Sequence, residues 1–146
     1  MKYLPEITGQ VKNKKIVQLY TQIILKELGL HRLRTFPLHI QFKKHVDGAQ
    51  GMCDGNRHYC NIEVATYCPH TGRKLGFLEM MQTLTHELVH ARQFIRGELT
   101  NDCKWVWKGR NADGYDYYNQ PWEKEAYKLE KKLFAENFPW CLPFKN

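Results

Sequence analysis

The segment Thr85-His86-Glu87-Leu88-Val89-His90 constrains this chain more than any other, because it sets two imidazoles and a carboxylate inside a run otherwise rich in Leu, Met and Phe. From Phe77 to Arg96 helix formers dominate, Leu78, Met81, Leu84, Leu88 and Ile95 fall roughly on one face, and Gly97 follows as a stop, so the run predicts a central helix. Four residues along a helix is slightly more than one turn. His86 and His90 therefore project from the same face and can take two tetrahedral positions around one Zn²⁺. Glu87 leaves the helix about 100° away from His86, which sets its carboxylate beside an attacking water rather than on the metal, the place of a general base. Unpaired and buried, these groups would cost several kcal/mol each, and a metal is the simplest compensation.

A hydrolytic zinc keeps three protein ligands and one open position, so a third ligand has to come from elsewhere. The segment Gln120-Pro121-Trp122-Glu123-Lys124-Glu125-Ala126 places two carboxylates in the first turn of a helix that begins near Pro121 and runs through Ala126, Leu129 and Leu133. On these residues alone, Glu123 and Glu125 compete for the position.

The remaining segments alternate between the two periodicities. From about Asn13 to Leu28 the residues Ile16, Leu19, Tyr20, Ile23, Ile24 and Leu28 recur at helical spacing, with Gly29 as the stop. Leu38, Ile40 and Phe42 alternate with His39 and Gln41, and Cys60, Ile62 and Val64 alternate with Asn61 and Glu63, giving two strands that should pair. A glycine-containing loop through Asp47-Gly48 and Asp54-Gly55 separates them, and Tyr67 to Gly72 reads as another loop. Trp105 and Trp107 fit a short strand, Gly109 to Asn119 is turn-rich, and the tail Pro139 to Asn146 is expected to pack irregularly. The expectation is an α+β fold with a twisted sheet of three or four strands packed on the central helix.

With 146 residues, 42% of them hydrophobic and 13% aromatic, the chain can fill one core, and residues 1–146 are read as a single domain. No apolar run approaches the roughly 20 residues that span a bilayer. The start, Met1 to Glu6, lacks the apolar stretch of a secretion signal, which points to a cytoplasmic protein and no membrane partner. Five widely spaced cysteines without a C-x-x-C pair (Cys53, Cys60, Cys68, Cys103, Cys141) are expected as reduced thiols, mostly core or half-buried. Lys and Arg outnumber Asp and Glu by 22 to 15, a net charge of +7 that admits nucleic acid as a partner, although the basic residues are dispersed and carry no nucleic-acid motif.

Leu84 to His90, followed by Tyr117-x-x-x-Pro121-Trp122-Glu123-x-Glu125-Ala126, resembles the minimal zinc metallopeptidases of phages and bacteria, related to SprT-like and ImmA/IrrE-type proteins. The likeness covers roughly Phe77 to Ala126. It implies a zincin-type domain that hydrolyses peptide bonds of a protein or peptide substrate, in the host cytoplasm if the protein is phage-encoded. In the broader Glu-zincin pattern the first Glu of E-x-x-A is the third ligand, which makes the implied set His86, His90 and Glu123, with Glu125 facing solvent or supporting the site. It also implies that a strand beside the cleft, Tyr59 to Ala65, pairs with an extended substrate. Thermolysin-like enzymes carry an Asp four residues after the ligand Glu; this chain has Tyr127 there, leaving Asp102, Asp113 and Asp116 as substitutes to orient a zinc histidine.

Tyr117, or else Tyr118 or Arg110, is a candidate donor to the oxyanion of a tetrahedral intermediate. Trp122 reads as an anchor for the helix that carries Glu123. His31, His39, His45, His58 and His70 read as surface or strand residues, and Cys68-Pro69-His70 lacks the neighbours of a second metal site. The same residues suit three other readings: a DNA-associated SprT-like protease, a zinc hydrolase of a non-peptide amide, and a non-catalytic zinc-stabilised binding protein of phage origin.

Overall fold

A computed structural model describes residues 5–32 and 36–138. Strand β1 (Glu6–Gly9), helix α1 (Lys14–Glu27) and strand β2 (Leu38–Lys43) form a parallel βαβ unit, with Ile7 beside Ile40. Helix α1 turns Val17, Tyr20, Thr21, Ile24 and Leu25 inward, positions that follow the 3.6-residue period. Leu19 lies off that stripe and is 41% exposed, so it is not part of the core face expected from the helical spacing.

β2 alternates buried Leu38, Ile40 and Phe42 with half-buried His39, Gln41 and Lys43, the pattern of a strand covered on one side. Two further strands, β3 (Gly51–Gly55) and β4 (Cys60–Ala65), complete a mixed sheet in the order β1-β2-β4-β3. β4 runs parallel to β2, pairing Ile62 with Ile40, and β3 returns antiparallel, setting Cys53 against Ile62. The segment expected as a glycine-containing loop thus holds an edge strand. Its alternation is weak in sequence because Gly51 and Gly55 bracket Met52 and Asp54, both exposed, and only Cys53 turns inward among the side-chain-bearing residues.

Helix α2 (Phe77–Ile95) packs on β3 and β4. Glu79 reaches back to the Gly76 N–H at 3.4 Å and holds the Arg73 guanidinium through two contacts of 3.0 Å, closing the N-terminal end. Gly97, at φ 69°, ends the helix in the left-handed region where a side chain would be strained. Met81, Leu84, Leu88, Val89 and Ala91 are fully buried. Leu78, expected on the core face, is 56% exposed.

A second, small sheet follows, β5 (Leu99–Asn101), β6 (Trp105–Trp107) and β7 (Arg110–Asn111), paired in sequence order. A single 3₁₀ turn, Tyr117–Asn119, is capped by the Asp116 carboxylate and leads into helix α3 (Pro121–Asn137), which packs against α2 and α1. The fold is α+β, with α2 between the main sheet and α3. Tyr20 and Thr85 share a buried 2.6 Å hydrogen bond that joins α1 to α2 one residue before His86. The segment from Pro139 onward lies outside the described residues, as does Cys141. Of the other cysteines Cys60 and Cys68 are buried, Cys53 is half-buried and Cys103 is exposed.

Candidate metal centre

His86 and His90 leave the same face of α2, and their Nε2 atoms lie 3.2 Å apart. From α3, Glu123 sets Oε1 2.9 Å from His86 Nε2 and Oε2 3.0 Å from His90 Nε2. All three residues are buried. Their ligand atoms lie within 4.8 Å of one another, and among the described residues no other group of His, Cys, Asp or Glu converges in this way, Cys68 and His70 included.

The outer nitrogens decide what the inner ones can do. His86 Nδ1 lies 2.9 Å from Glu130 Oε1, and His90 Nδ1 lies 2.7 Å from Gln93 Oε1. Glu130 is a carboxylate and can only accept when ionised. The Gln93 amide is oriented by its Nε2, which donates to the Trp122 carbonyl at 3.0 Å and to Glu125 Oε1 at 3.1 Å, so its oxygen is the atom facing His90. Both imidazoles therefore carry their proton on Nδ1 when neutral, and their Nε2 lone pairs point at each other and at Glu123. Buried lone pairs converging without a proton repel, unless a cation lies among them.

A divalent metal fits that set. Donors about 2.0–2.1 Å from a tetrahedral ion sit about 3.3–3.4 Å from each other, and the observed separations of 2.9, 3.0 and 3.2 Å fall within a few tenths of that. The supporting contacts are of the kind that orient metal histidines. Glu130 is itself held by Gln82 Nε2 at 2.8 Å, and the Tyr127 ring packs on His86 with centroids 4.5 Å apart.

Without a metal the same cluster would hold protons instead. Burial works against a charged His86, but its hydrogen bonds to Glu123 and Glu130 outweigh that and push it up to about 10. Burial likewise opposes ionised Glu123, yet the two histidines bring it down to about 2. His90 also rises, its burial outweighed by Glu123. Glu87 is buried beside the pair, and loss of hydration raises its carboxyl above the ordinary range despite the nearby imidazoles.

Glu87 faces a cleft of about 580 Å³, bordered by Gln50, Gly51, His70, Gln82, Thr83 and Tyr127. The cleft shares Gly51, His86, Glu87 and Tyr117 as walls with an adjoining smaller recess of about 260 Å³ lined by Met52, Phe94, Leu99, Trp105 and Trp122. Gly51 leaves room here: a Cβ would come within 2.6 Å of Thr83 Cγ2 and 3.0 Å of Glu87 Oε2, crowding the carboxylate unless those side chains shifted. Tyr117 is brought to the site, its hydroxyl donating to Glu123 Oε1 at 3.1 Å and lying 3.2 Å from the Tyr127 hydroxyl. Tyr118 is 79% exposed, and Arg110 is exposed on β7, at the edge of the small sheet.

Trp122 anchors α3 as expected, stacked on Trp105 with centroids 5.6 Å apart and tilted against Trp107 at 6.1 Å. Glu125 is removed from the metal position by its contacts to Gln93 and, at 3.7 Å, to Arg92. The aspartates expected to orient a histidine do not contact either one in the structure. Asp113 accepts from the Trp105 N–H, Asp116 caps the 3₁₀ turn, and Asp102 is exposed in a turn. Their place is taken by Glu130 and Gln93, which sequence reasoning missed; Glu130 lies one helical heptad after Glu123, on the same face of α3, which is the signal that could have found it. β4 is not available to a substrate strand, because β2 and β3 occupy both its edges; among the described residues the free edge at the cleft is that of β3.

Compared with models of known protein families the chain matches none, and no curated protein matches it. The likeness of Leu84 to His90 and Tyr117 to Ala126 to small metallopeptidases rests on those motifs and on the buried histidine and glutamate triad that they form.

Proposed function

We propose that the protein is a zinc metallopeptidase in which His86, His90 and Glu123 hold the ion and Glu87 is the general base. The observation that carries this reading is the convergence of two imidazole Nε2 atoms and a carboxylate directly beside Glu87, at the floor of an open cleft. When bound, zinc supplies Lewis acidity toward a carbonyl oxygen and makes water a stronger acid. Glu87 takes the proton from the attacking water and hands it to the leaving amine, a double duty suited to a carboxyl whose burial makes it hold protons more readily. Tyr117, tethered at Glu123, offers its hydroxyl as a donor to the negative oxygen that develops during attack.

A peptide substrate is favoured by the free edge of β3, which runs along the cleft and presents backbone groups to an extended chain. The recess among Met52, Phe94, Leu99, Trp105 and Trp122 suits an apolar side chain of that substrate.

The test is cleavage of a proteome-derived peptide library by the zinc-loaded protein and by Glu87→Gln at matched zinc content. Cleavage is expected to fall by about 10²–10⁴-fold in the variant with zinc retained. Wild-type rates in Glu87→Gln would remove it as the base, and an inert zinc-loaded wild type would leave a binding protein rather than a peptidase.

A further inference from the structure

Tyr127 follows Glu123 by one turn of α3 and precedes Glu130 by slightly less than one, so the three residues share one face of the helix. Its ring packs on the His86 imidazole with centroids 4.5 Å apart, and its hydroxyl lies 3.2 Å from the Tyr117 hydroxyl. Tyr117 comes from the 3₁₀ turn before α3, and both tyrosines border the cleft beside Glu87.

The protons available fix the direction of this contact. The Glu123 carboxylate, a ligand in the proposed metal set, can only accept, so Tyr117 spends its single hydroxyl proton on Glu123 Oε1 at 3.1 Å. The Tyr127 hydroxyl is then the donor across the 3.2 Å contact, and the Tyr117 oxygen accepts. A chain of hydrogen bonds runs from Tyr127 through Tyr117 to Glu123, and each bond polarises the next.

Tyr117 can give its proton to a developing oxyanion only by releasing Glu123. Its side chain belongs to a three-residue turn and is 48% exposed, so packing does little to hold the hydroxyl in the cleft. The contact from Tyr127 does not have to break in that exchange, because it ends on the Tyr117 oxygen and leaves the proton free to turn. Tyr127 is itself fixed by the rigid helix it stands on and by its packing on His86.

We propose that Tyr127 is a positioning residue of the peptidase, whose hydroxyl donates to the Tyr117 oxygen and keeps the Tyr117 O–H at the oxyanion once substrate has displaced it from Glu123. This inference rests on the peptidase reading and extends it to a residue that acts through Tyr117. The position four residues after the ligand Glu then serves the oxyanion side of the site, while Glu130 takes the place behind His86.

The experiment uses the whole zinc-loaded protein and the variants Tyr117→Phe, Tyr127→Phe and their double, at matched zinc content. Tyr127→Phe keeps the ring on His86 and removes only the hydroxyl. It is expected to lower kcat by about three- to tenfold with KM and zinc affinity unchanged. Tyr117→Phe is expected to cost about 10²-fold or more, and the double variant no more than Tyr117→Phe alone, because the Tyr127 hydroxyl then has no oxygen to hold. A second measurement is affinity for a phosphinic peptide, whose tetrahedral oxygens imitate the addition intermediate. Tyr127→Phe should weaken it by about the same factor as kcat and leave binding of a product peptide unchanged. A wild type that neither cleaves peptides nor binds the phosphinic peptide removes the peptidase reading itself. An active wild type matched by Tyr127→Phe, single losses that multiply in the double variant, or a fall in zinc affinity in Tyr127→Phe overturns the role of Tyr127 and leaves that reading standing.

Discussion

The two helices that meet at the candidate metal centre are held in different ways. α2 is packed nearly all round, with Leu84, Leu88, Val89 and Ala91 fully buried, so the spacing of His86 and His90 is fixed by the core whether or not a ligand is present. α3 buries a single stripe; its first turn is held by the stack of Trp122 on Trp105 and by the contact of Glu123 to His86, and its middle by the contact of Glu130 to His86. The histidines are thus built into the scaffold, and the carboxylate is delivered to them by a helix on the surface. A metal at this position would tie the second helix to the first.

The contrast can be broken most directly at the ligands. His90→Ala is expected to abolish stoichiometric zinc binding, measured by metal analysis after gel filtration, while α2 stays folded by circular dichroism. Loss of the helix would mean that the core does not fix α2 by itself. Trp122→Ala removes the aromatic anchor of α3 and should cost about 3–5 kcal/mol in urea unfolding. A much smaller loss would show that the ligand contacts, and not the stack, hold the helix.

Glu130→Gln sharpens the comparison, since it leaves the three ligands in place and weakens only the acceptor behind His86. Zinc affinity is expected to drop by about 10–100-fold in a competition titration. An unchanged affinity would make Glu130 a packing residue.

The remaining effect is in pH. In the metal-free protein His86 stands at about 10, above its unfolded value of 6.5, so its pairing with Glu123 and Glu130 stabilises fully below 6.5 and is lost as pH climbs toward 10. Glu123 stands at about 2, below 4.5, so its share is present above 4.5 and lost as pH falls toward 2. Metal-free protein should therefore be most stable between these limits and soften from pH 7 to 9. Zinc competes with the same protons, so the melting temperatures of loaded and stripped protein should draw apart over that range. Parallel curves would mean that the histidines are not the groups that exchange protons for metal.

Much of this architecture was readable from local pattern. α1, α2, α3, β2, β4 and β6 lie where periodicity predicts them, because each buries a face whose spacing is written within a few residues. β1, β3, β5 and β7 were not read. They span two to five residues, and glycine or exposed polar side chains replace the alternation, so they become strands only through the partner beside them.

The same division runs through the site. The sequence by itself determined that His86 and His90 share a face and that Glu87 is offset from them, because helical geometry acts over four residues. It did not decide what stands behind the histidines. Glu123 and Glu130 reach His86 across 37 and 44 residues of chain, and aspartates nearer in sequence proved to be engaged elsewhere. It assigned the substrate edge to β4, which the sheet encloses, when the free edge is β3. Spacing along one helix is a local property of the backbone; which carboxylate, amide or strand edge comes within 3 Å of it depends on how distant elements pack, and only the tertiary structure decides that.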